Sequence, residues 1–422
     1  MPCLLHPPAR RRWRVCAAGA LLLGALFSST GHADTPVQPE LSSALVAKPG
    51  WATHSYAVAA ANPLATRAGQ QILQAGGSAV DAAVAVQMVL TLVEPQSSGI
   101  GGGAFLLHFD GRHTQAYDGR EVAPALATPA LFLDAAGKPM DFKAAVVGGR
   151  SVGVPGALAM LYLAHQQHGR LPWKALFQPA IRLARQGFAV SPRMATLLAA
   201  EDALKTDPAA RAYFYDASGK PWPEGHLLRN PELAAVLQAI ATQGPKALMR
   251  GAVARALVNQ VNHHANPGRL SLADLAAYRP ILREPQCFAY AVAPQTYRLC
   301  GMPPPSSGTL AIGQMLGILS ATPGANQPLA NGLPAAQWLH LYTEAARLAF
   351  ADRAQYVGDP AFVDAPAGSW SSLLSPDYLA QRARAIAPDG PAMPQALPGK
   401  PAAVSAAYAP MPEQVEHGTS HI

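Results

Sequence analysis

Two close pairs of histidines in this 422-residue sequence have the spacing of candidate metal ligands. They are His165 with His168 and His263 with His264. Zinc sites add cysteine, carboxylate or further histidine ligands at characteristic spacings, and neither pair has such companions nearby in the sequence. We therefore interpret the four residues as surface histidines on helices, and we expect neither a metal site nor a cofactor.

Two glycine-rich runs have the composition of phosphate-binding loops. They are PQSSGIGGGAFLLHFD (95–110) and GGRSVGVPG (148–156). A dinucleotide site requires a strand, then the glycines, then a helix, whereas the first run follows a helical pattern and precedes a strand. The second run lacks the G-x-G-x-x-G spacing. Both runs favour tight packing or a pocket wall over a phosphate site.

Cys287 and Cys300 flank the segment CFAYAVAPQTYRLC. This pattern predicts two short strands around a turn near Ala293-Pro294, which would place the cysteines opposite each other. A cross-strand disulfide has reasonable geometry there. Two free buried thiols remain the alternative at this point.

Two further pairs of residues have side chains that occur in catalytic sites, but we expect structural roles for them. Ser306 and Ser307 follow three prolines, and we interpret them as caps of the next helix rather than nucleophiles. Asp352 and Arg353 lie on a predicted helix, and we interpret them as a structural ion pair.

The N-terminus has the pattern of a secretory signal peptide. Basic residues at 10–14 precede an apolar run from Val15 to Phe27, and Gly31-His32-Ala33 supplies small residues before a cleavage point. The run is short for a membrane span, so a retained anchor is the less favoured alternative. We expect cleavage after Ala33 and a periplasmic or secreted protein.

The net charge argues against a nucleic-acid partner. The formal charge is +7, and it falls to +3 once the four arginines of the signal segment (Arg10, Arg11, Arg12 and Arg14) are removed. So small a surplus gives no reason to expect binding to nucleic acid or to an anionic membrane. Half of the residues are hydrophobic, which is enough for a large core.

Most of the remaining sequence has helical periodicity. A capping box of Ser78 and Asp81 opens a segment that is apolar almost all round, which predicts a buried helix. Residues 386–415 are rich in Pro and Ala and predict a mobile linker. The other predicted helices that bear on the site are Leu64–Ala75, Ala157–His168, Trp173–Gly187, Leu310–Leu319 and Ala335–Tyr356.

Nine stretches, in order, resemble the γ-glutamyltransferase (glutathione hydrolase) family of N-terminal-nucleophile hydrolases. They include DGREVAP (118–124), MPPPSSGT (302–309) and EHGTSHI (416–422), and together they extend over nearly the whole chain after residue 55. The other six stretches are 61–85, 97–105, 148–158, 173–191, 268–280 and 344–360. The resemblance implies an α/β (α+β) fold, an αββα sandwich built by two subunits of a self-cleaving proenzyme.

The resemblance also divides the chain. The sequence ends three residues after the threonine that matches the family nucleophile, Thr419, so we expect an incomplete sandwich that lacks the small subunit. The expected segments are a signal peptide (1–33), a flexible N-terminus (34–54), a large-subunit domain (55–385), a flexible linker (386–418) and a stub of the small subunit (419–422).

Thr419 is the residue that the resemblance makes catalytic, with self-cleavage at Gly418–Thr419. A free α-amino group on Thr419 would titrate near pH 7.7–8.0, which suits a general base for the hydroxyl of the same residue. In the precursor the Thr419 hydroxyl would attack the Gly418 carbonyl and leave an ester for water to hydrolyse. Without the family pattern, a Gly-Thr pair carries no functional meaning.

Arg120 matches the arginine that holds the substrate α-carboxylate in the family. A guanidinium offers two parallel N–H donors that suit a carboxylate. The alternative is a surface arginine paired with Glu121.

The resemblance implies cleavage of γ-glutamyl amides such as glutathione, with transfer to water or an amino acid. It also implies a small subunit from the same precursor as partner, and we expect the 422-residue chain alone to be inactive. The alternatives are a related acylase of β-lactam side chains or poly-γ-glutamate, and an inactive truncated remnant.

Overall fold

The computed structural model describes residues 50, 52–329, 331–401, 408–410 and 419–422, all of which belong to one unit of the chain. The predicted signal peptide lies outside the described residues.

Helices make up most of the described chain. The α-helices are α1 (Pro63–Gln74), α2 (Ala79–Val93), α3 (Phe142–Val146), α4 (Ala157–His168), α5 (Trp173–Leu176), α6 (Gln178–Gln186), α7 (Pro192–Ala200), α8 (Pro208–Phe214), α9 (Pro231–Gln243), α10 (Lys246–Met249), α11 (Gly251–His263), α12 (Leu272–Ala277), α13 (Gly308–Ser320), α14 (Ala336–Tyr356) and α15 (Pro376–Ala383). Short 3-10 helices are formed by Ala203–Thr206, Pro366–Gly368 and Trp370–Leu374.

Strands form three small antiparallel sheets among the described residues. The strands are β1 (Ala104–Phe109), β2 (Thr114–Gly119), β3 (Phe188–Ala189), β4 (Leu227–Leu228), β5 (Ile281–Arg283), β6 (Gln286–Val292) and β7 (Gln295–Gly301). The sheet orders are β1-β2-β5, β3-β4 and β6-β7. In the first sheet β2 is central, with Ala104 opposite Gly119 and Ile281 opposite Asp118.

Helix α2 lies at the centre of the larger core, as its apolar sequence predicts. Its capping box forms, because the Ser78 hydroxyl accepts from the Asp81 amide and the Asp81 carboxylate accepts from the Ser78 amide. Asp81 is fully buried and also accepts the amides of Arg170 and Leu171 at 2.9 and 3.0 Å. One carboxylate therefore caps α2 and fixes the connection between α4 and α5.

Strand β2 joins the sheet to this core. Tyr117 is fully buried and packs with α4, whose Leu158, Met160 and Leu161 belong to the same cluster. A Cβ on Gly119 would lie against Met160 and 3.1 Å from the Gly156 carbonyl oxygen, so β2 ends in close contact with the start of α4.

A second, smaller core is built by α13, α14 and α15. Ile318 and Leu319 of α13 pack with Leu341, Ala345 and Leu348 of α14 and with α15. Helix α14 is the longest described helix, with 21 residues.

The predicted helix Trp173–Gly187 is interrupted. The structure has two helices there, α5 and α6, which meet at Phe177. Pro179 explains the break, because it lacks an amide proton and its ring clashes with the carbonyl four residues earlier in a continuous helix.

The other helices match the predicted segments to within two residues at each end. Within the described residues, the helices are too short or too polar to cross a membrane.

Candidate active site

Arg120 follows the last residue of β2, and its position is set by the strand that precedes it. Asp118, which is 5% exposed, accepts the Arg120 amide at 2.9 Å through Oδ1. The other oxygen of Asp118 forms an ion pair with Arg283 Nε at 2.7 Å, on the neighbouring strand β5. Arg283 of β5 thus fixes the Asp118 carboxylate, which in turn fixes the backbone of Arg120.

Tyr278 fixes the carbonyl side of the same residue. Its hydroxyl donates to the Arg120 carbonyl oxygen at 2.8 Å. Burial, together with the negative charges of Asp118 and Glu121, raises the pKa of Tyr278 above its ordinary value. The hydroxyl therefore stays protonated and remains a donor over the physiological pH range.

The Arg120 guanidinium is exposed. Nη1 lies 3.5 Å from the Pro305 carbonyl oxygen, and the guanidinium carbon lies 5.9 Å from the centre of the Phe105 ring. Among the described residues, no carboxylate forms an ion pair with it. The backbone of Arg120 is thus held on both sides, while its guanidinium is exposed and accessible to an anionic group.

Glu121 takes a different partner from the one expected for a surface ion pair. Its carboxylate accepts the amide proton of Gly103 at the end of the first glycine-rich run. A Cβ on Gly103 would lie 2.7 Å from the Glu121 amide nitrogen, so a side chain would not fit there. Glu121 is thereby withdrawn from Arg120.

The two glycine-rich runs pack against each other. The Gly102 carbonyl oxygen accepts the amides of Gly156 and Ala157 at 3.0 and 3.1 Å, at the start of α4. The bridge between Val122 and Val154 extends this contact. The runs provide tight packing beside Arg120, which agrees with the first of the two roles expected from the sequence.

Thr419 is exposed and lies in irregular chain. Gly418, the other residue of the predicted cleavage site, lies outside the described residues. Within the described part of the chain, no hydrogen bond joins Arg120 to Thr419. The role of Thr419 therefore stays a prediction.

The proline-rich segment beside Arg120 differs in detail from the expectation. Ser307 occupies the N-cap position of α13, but its hydroxyl accepts from Arg353 Nε at 2.8 Å rather than from an amide of the helix.

Asp352 pairs with Arg382 at 3.2 Å, so the expected Asp352–Arg353 pair was wrong. On an α-helix, adjacent residues point in different directions and do not face each other.

The two cysteines are paired in the structure. Strands β6 and β7 place Cys287 directly opposite Cys300, and the Sγ atoms lie 2.09 Å apart. Strand β7 leads directly into the segment that carries Pro305, so the hairpin adjoins the contact with Arg120.

Of the four histidines expected at the surface, His263 is exposed, whereas His165, His168 and His264 are half-buried. His165 Nε2 lies 2.9 Å from the Leu171 carbonyl oxygen, and His168 stacks on His108 at 3.8 Å. The described residues contain no group of three or more His, Cys, Asp or Glu side chains that could hold a metal ion.

Three residues that position Arg120 are missed by reasoning from the sequence: Asp118, Tyr278 and Arg283. Asp118 lies in the family-like stretch 118–124, which offered a signal for it. Tyr278 lies in the family-like stretch 268–280, which offered the same kind of signal. Arg283 lies outside these stretches, and no local pattern connects it with Arg120.

An open cavity of about 530 Å³ is lined by residues between Lys205 and Trp222. Neither Arg120 nor Thr419 lines it. The cavity therefore has no part in the site built around Arg120.

Comparison with known proteins agrees with this architecture. The chain is 35% identical to the glutathione hydrolase proenzyme of Bacillus subtilis over 89% of its length, and 40% identical to the acylase ACY 1 proenzyme of Pseudomonas sp. over 77%. It covers 62% of the Bacillus protein and 57% of the acylase.

Among solved structures, the γ-glutamyltranspeptidase of Helicobacter pylori superposes with a TM-score of 0.77 and 32% identity, covering 85% of this chain and 99% of that one. This likeness confirms the α/β fold of the N-terminal-nucleophile hydrolases. The family model described as gamma-glutamyltranspeptidase matches residues 65–422. With so much of the sequence matched, the chain belongs to the gamma-glutamyltranspeptidase family.

Proposed function

We propose that this protein is a γ-glutamyltransferase and glutathione hydrolase that matures by cleaving itself at Gly418–Thr419. The observation that carries the proposal is the fixed backbone and open guanidinium of Arg120. A γ-glutamyl group presents a free α-carboxylate, and a guanidinium binds a carboxylate through two parallel hydrogen bonds. The proposal draws further support from the glutathione hydrolase relatives.

Thr419 supplies the nucleophile in this proposal. After self-cleavage its α-amino group accepts the hydroxyl proton, and Oγ attacks the γ-carbonyl of the substrate. The C–N bond of the amide breaks, the leaving amine takes the proton, and a γ-glutamyl ester remains on Thr419. Attack by water releases glutamate, whereas attack by an amino group transfers the γ-glutamyl group.

A small subunit beginning at Thr419 is the proposed partner. The relatives are proenzymes, and the chain spans 62% of the Bacillus protein that it matches. In this proposal the small subunit completes the site around Arg120 and contributes the oxyanion donors that stabilise the tetrahedral intermediate.

The decisive experiment is Thr419→Ala in the protein expressed from its complete gene. We expect this variant to remain one band on a denaturing gel and to release no chromogenic amine from a γ-glutamyl anilide, because one hydroxyl performs both attacks. Thr419→Ser, which keeps a hydroxyl, is the matched control and should retain both self-cleavage and amine release. Normal cleavage by Thr419→Ala would contradict the proposal.

An acylase is the second candidate, favoured by the 40% identity to the acylase ACY 1 proenzyme. The two functions differ in the acyl group that reaches Thr419. The processed protein should hydrolyse a γ-glutamyl anilide faster than it removes the acyl side chain of a β-lactam. The reverse preference would favour the acylase.

We further propose export with cleavage after Ala33. The basic residues at 10–14, the apolar run and the small residues at 31–33 support it. Mass spectrometry of protein from the periplasm or medium should find Asp34 as the first residue. An exported protein that retains Val15–Phe27 would contradict this proposal.

A further inference from the structure

Helix α14 lies along a Pro- and Ala-rich stretch that the sequence predicted to be a flexible linker. We call residues 387–401 and 408 the strap. His340 Nε2 near the start of α14 lies 3.0 Å from the Ala387 carbonyl oxygen, and Gln355 Nε2 near its end donates to the Tyr408 carbonyl oxygen at 3.0 Å. The described residues of the strap therefore lie beside α14, with Ala387 near the start of the helix and Tyr408 near its end.

The first fixed point of the strap is at Met393. Glu344, which is 2% exposed, accepts the Met393 amide at 2.7 Å through Oε2. Its other oxygen bonds Arg347 at 2.9 Å, and Arg347 in turn donates to the carbonyl oxygens of Met393 and Pro394. One carboxylate and one guanidinium thus bind both polar groups of a single residue.

The second fixed point repeats this arrangement two turns further along α14. Asp352 is fully buried and accepts the Gly399 amide at 2.7 Å through Oδ1. Arg382 of α15 pairs with the same oxygen at 3.2 Å and donates to the Leu397 carbonyl oxygen at 2.8 Å. Tyr356 donates to the Gly399 carbonyl oxygen.

Gly399 has no space for a side chain. A Cβ there would meet the Tyr378 hydroxyl and lie 2.6 Å from Arg382 Cδ. Any other residue would push this part of the strap away from Asp352. Lys400, the next residue, is exposed.

Burying two carboxylates is costly unless each is paired and hydrogen-bonded. Here each has an arginine, and each binds a strap amide. Two buried carboxylates of α14 therefore hold a segment whose described residues form neither helix nor strand. Tyr408, the last residue of the strap, precedes Thr419 by eleven residues.

We propose that Glu344, Asp352 and Gln355 are positioning residues for self-cleavage, because they hold the strap at Met393, Gly399 and Tyr408 and so limit where Gly418–Thr419 can lie. This inference rests on the proposed self-cleavage. Eleven residues reach at most roughly 40 Å, and a fixed origin at Tyr408 restricts the volume that the scissile bond explores. Restricting a reacting group in this way accelerates an intramolecular attack.

The test compares Gly399→Ala and Glu344→Ala with the controls Lys400→Ala and Thr343→Ala in the protein expressed from its complete gene. Thr343 is exposed on α14, next to Glu344. The rate at which two subunit bands appear is followed by pulse labelling. We expect cleavage about ten- to a hundredfold slower in the first two variants and unchanged in the controls.

Two further measurements separate positioning from general damage. Once processed, Gly399→Ala should keep the parent kcat and KM, because the strap no longer connects to Thr419. In a Thr419→Ala background, Gly399→Ala should raise hydrogen exchange in a peptide covering 392–400. A slowed cleavage matched by an equal loss of kcat in the processed fraction would overturn the inference.

Failure of the proposed self-cleavage can be distinguished from failure of the positioning inference. If the parent protein does not cleave itself, the proposed maturation fails and the inference fails with it. If the parent cleaves and Gly399→Ala cleaves at the same rate, only the inference is overturned.

Discussion

Arg120 illustrates how neighbouring residues decide what a side chain is available to do. Its sequence neighbour Glu121 is the obvious ion-pair partner, but Glu121 binds the Gly103 amide. Asp118, two residues before, is paired with Arg283 and holds only the Arg120 backbone. Both nearby carboxylates are thus occupied elsewhere, and the guanidinium is left for an external anion.

Replacing Arg120 by lysine tests this interpretation. We expect kcat/KM for a γ-glutamyl anilide to fall about ten- to hundredfold, because lysine keeps the charge but loses the two parallel donors. Self-cleavage should proceed normally, since the scissile bond presents no free carboxylate. Arg112→Lys, at the exposed turn between β1 and β2, is the control and should behave as the parent.

Steady-state kinetics and a denaturing gel measure the two effects side by side. Loss of cleavage in Arg120→Lys would mean that Arg120 supports the fold, and the assignment to substrate binding would then be wrong.

At the scale of single elements, the sequence predicted most of what depends on near neighbours. The capping box of Ser78 and Asp81 is a three-residue pattern, and it formed as expected. The strand pairing that sets Cys287 opposite Cys300 likewise follows from a short turn. The break at Phe177 was missed because helical periodicity continues across Pro179.

The strap was missed for a different reason. Glu344 and Asp352 are separated from Met393 and Gly399 by 49 and 47 residues, and both contacts end on main-chain amides. Composition alone predicted a flexible linker. A contact with a main-chain amide does not require a particular residue type in the strap. The local sequence therefore contains no pattern that predicts these contacts.

Asp81 offers a test of how one carboxylate supports several elements. Asp81→Ala removes the acceptor for the amides of Ser78, Arg170 and Leu171 in a fully buried setting. We expect a loss of roughly 2–4 kcal/mol in the free energy of unfolding, since buried donors are left without partners. Denaturant unfolding should show a lower midpoint with an unchanged slope.

Asp274 provides the matched comparison, because it caps the short helix α12 with Ser271. Asp274→Ala should cost less, since α12 has six residues. Equal losses for the two variants would contradict the special role of Asp81.

At the scale of the whole molecule, folding raises the pKa of three buried or half-buried tyrosines among the described residues. Burial raises the pKa of Tyr213 to about 12, and it also raises the pKa of Tyr278 and Tyr378. Tyr378 donates to the Asp352 carboxylate at 2.8 Å, which further favours its protonated form. The folded chain therefore binds protons that the unfolded chain releases near pH 10.

The consequence is a loss of stability on the alkaline side. The contribution of these tyrosines is fully present below pH 10 and decreases as the pH rises towards 12, because only the unfolded chain ionises readily there. We expect the melting temperature to fall steeply over this interval, with tyrosinate absorbance rising together with unfolding. A tyrosinate signal that develops near pH 10 in folded protein would contradict this.

The strap also has a consequence for how the protein can evolve. Since α14 and α15 bind its main chain at Met393, Leu397 and Gly399, mutations of the exposed strap side chains escape selection for this contact. Such a stretch can drift towards simple, biased composition while its course is preserved. A library that randomises the exposed strap positions 391, 392, 394, 395, 397, 398 and 400 should therefore retain many functional clones, whereas one that randomises Glu344 and Asp352 should retain few.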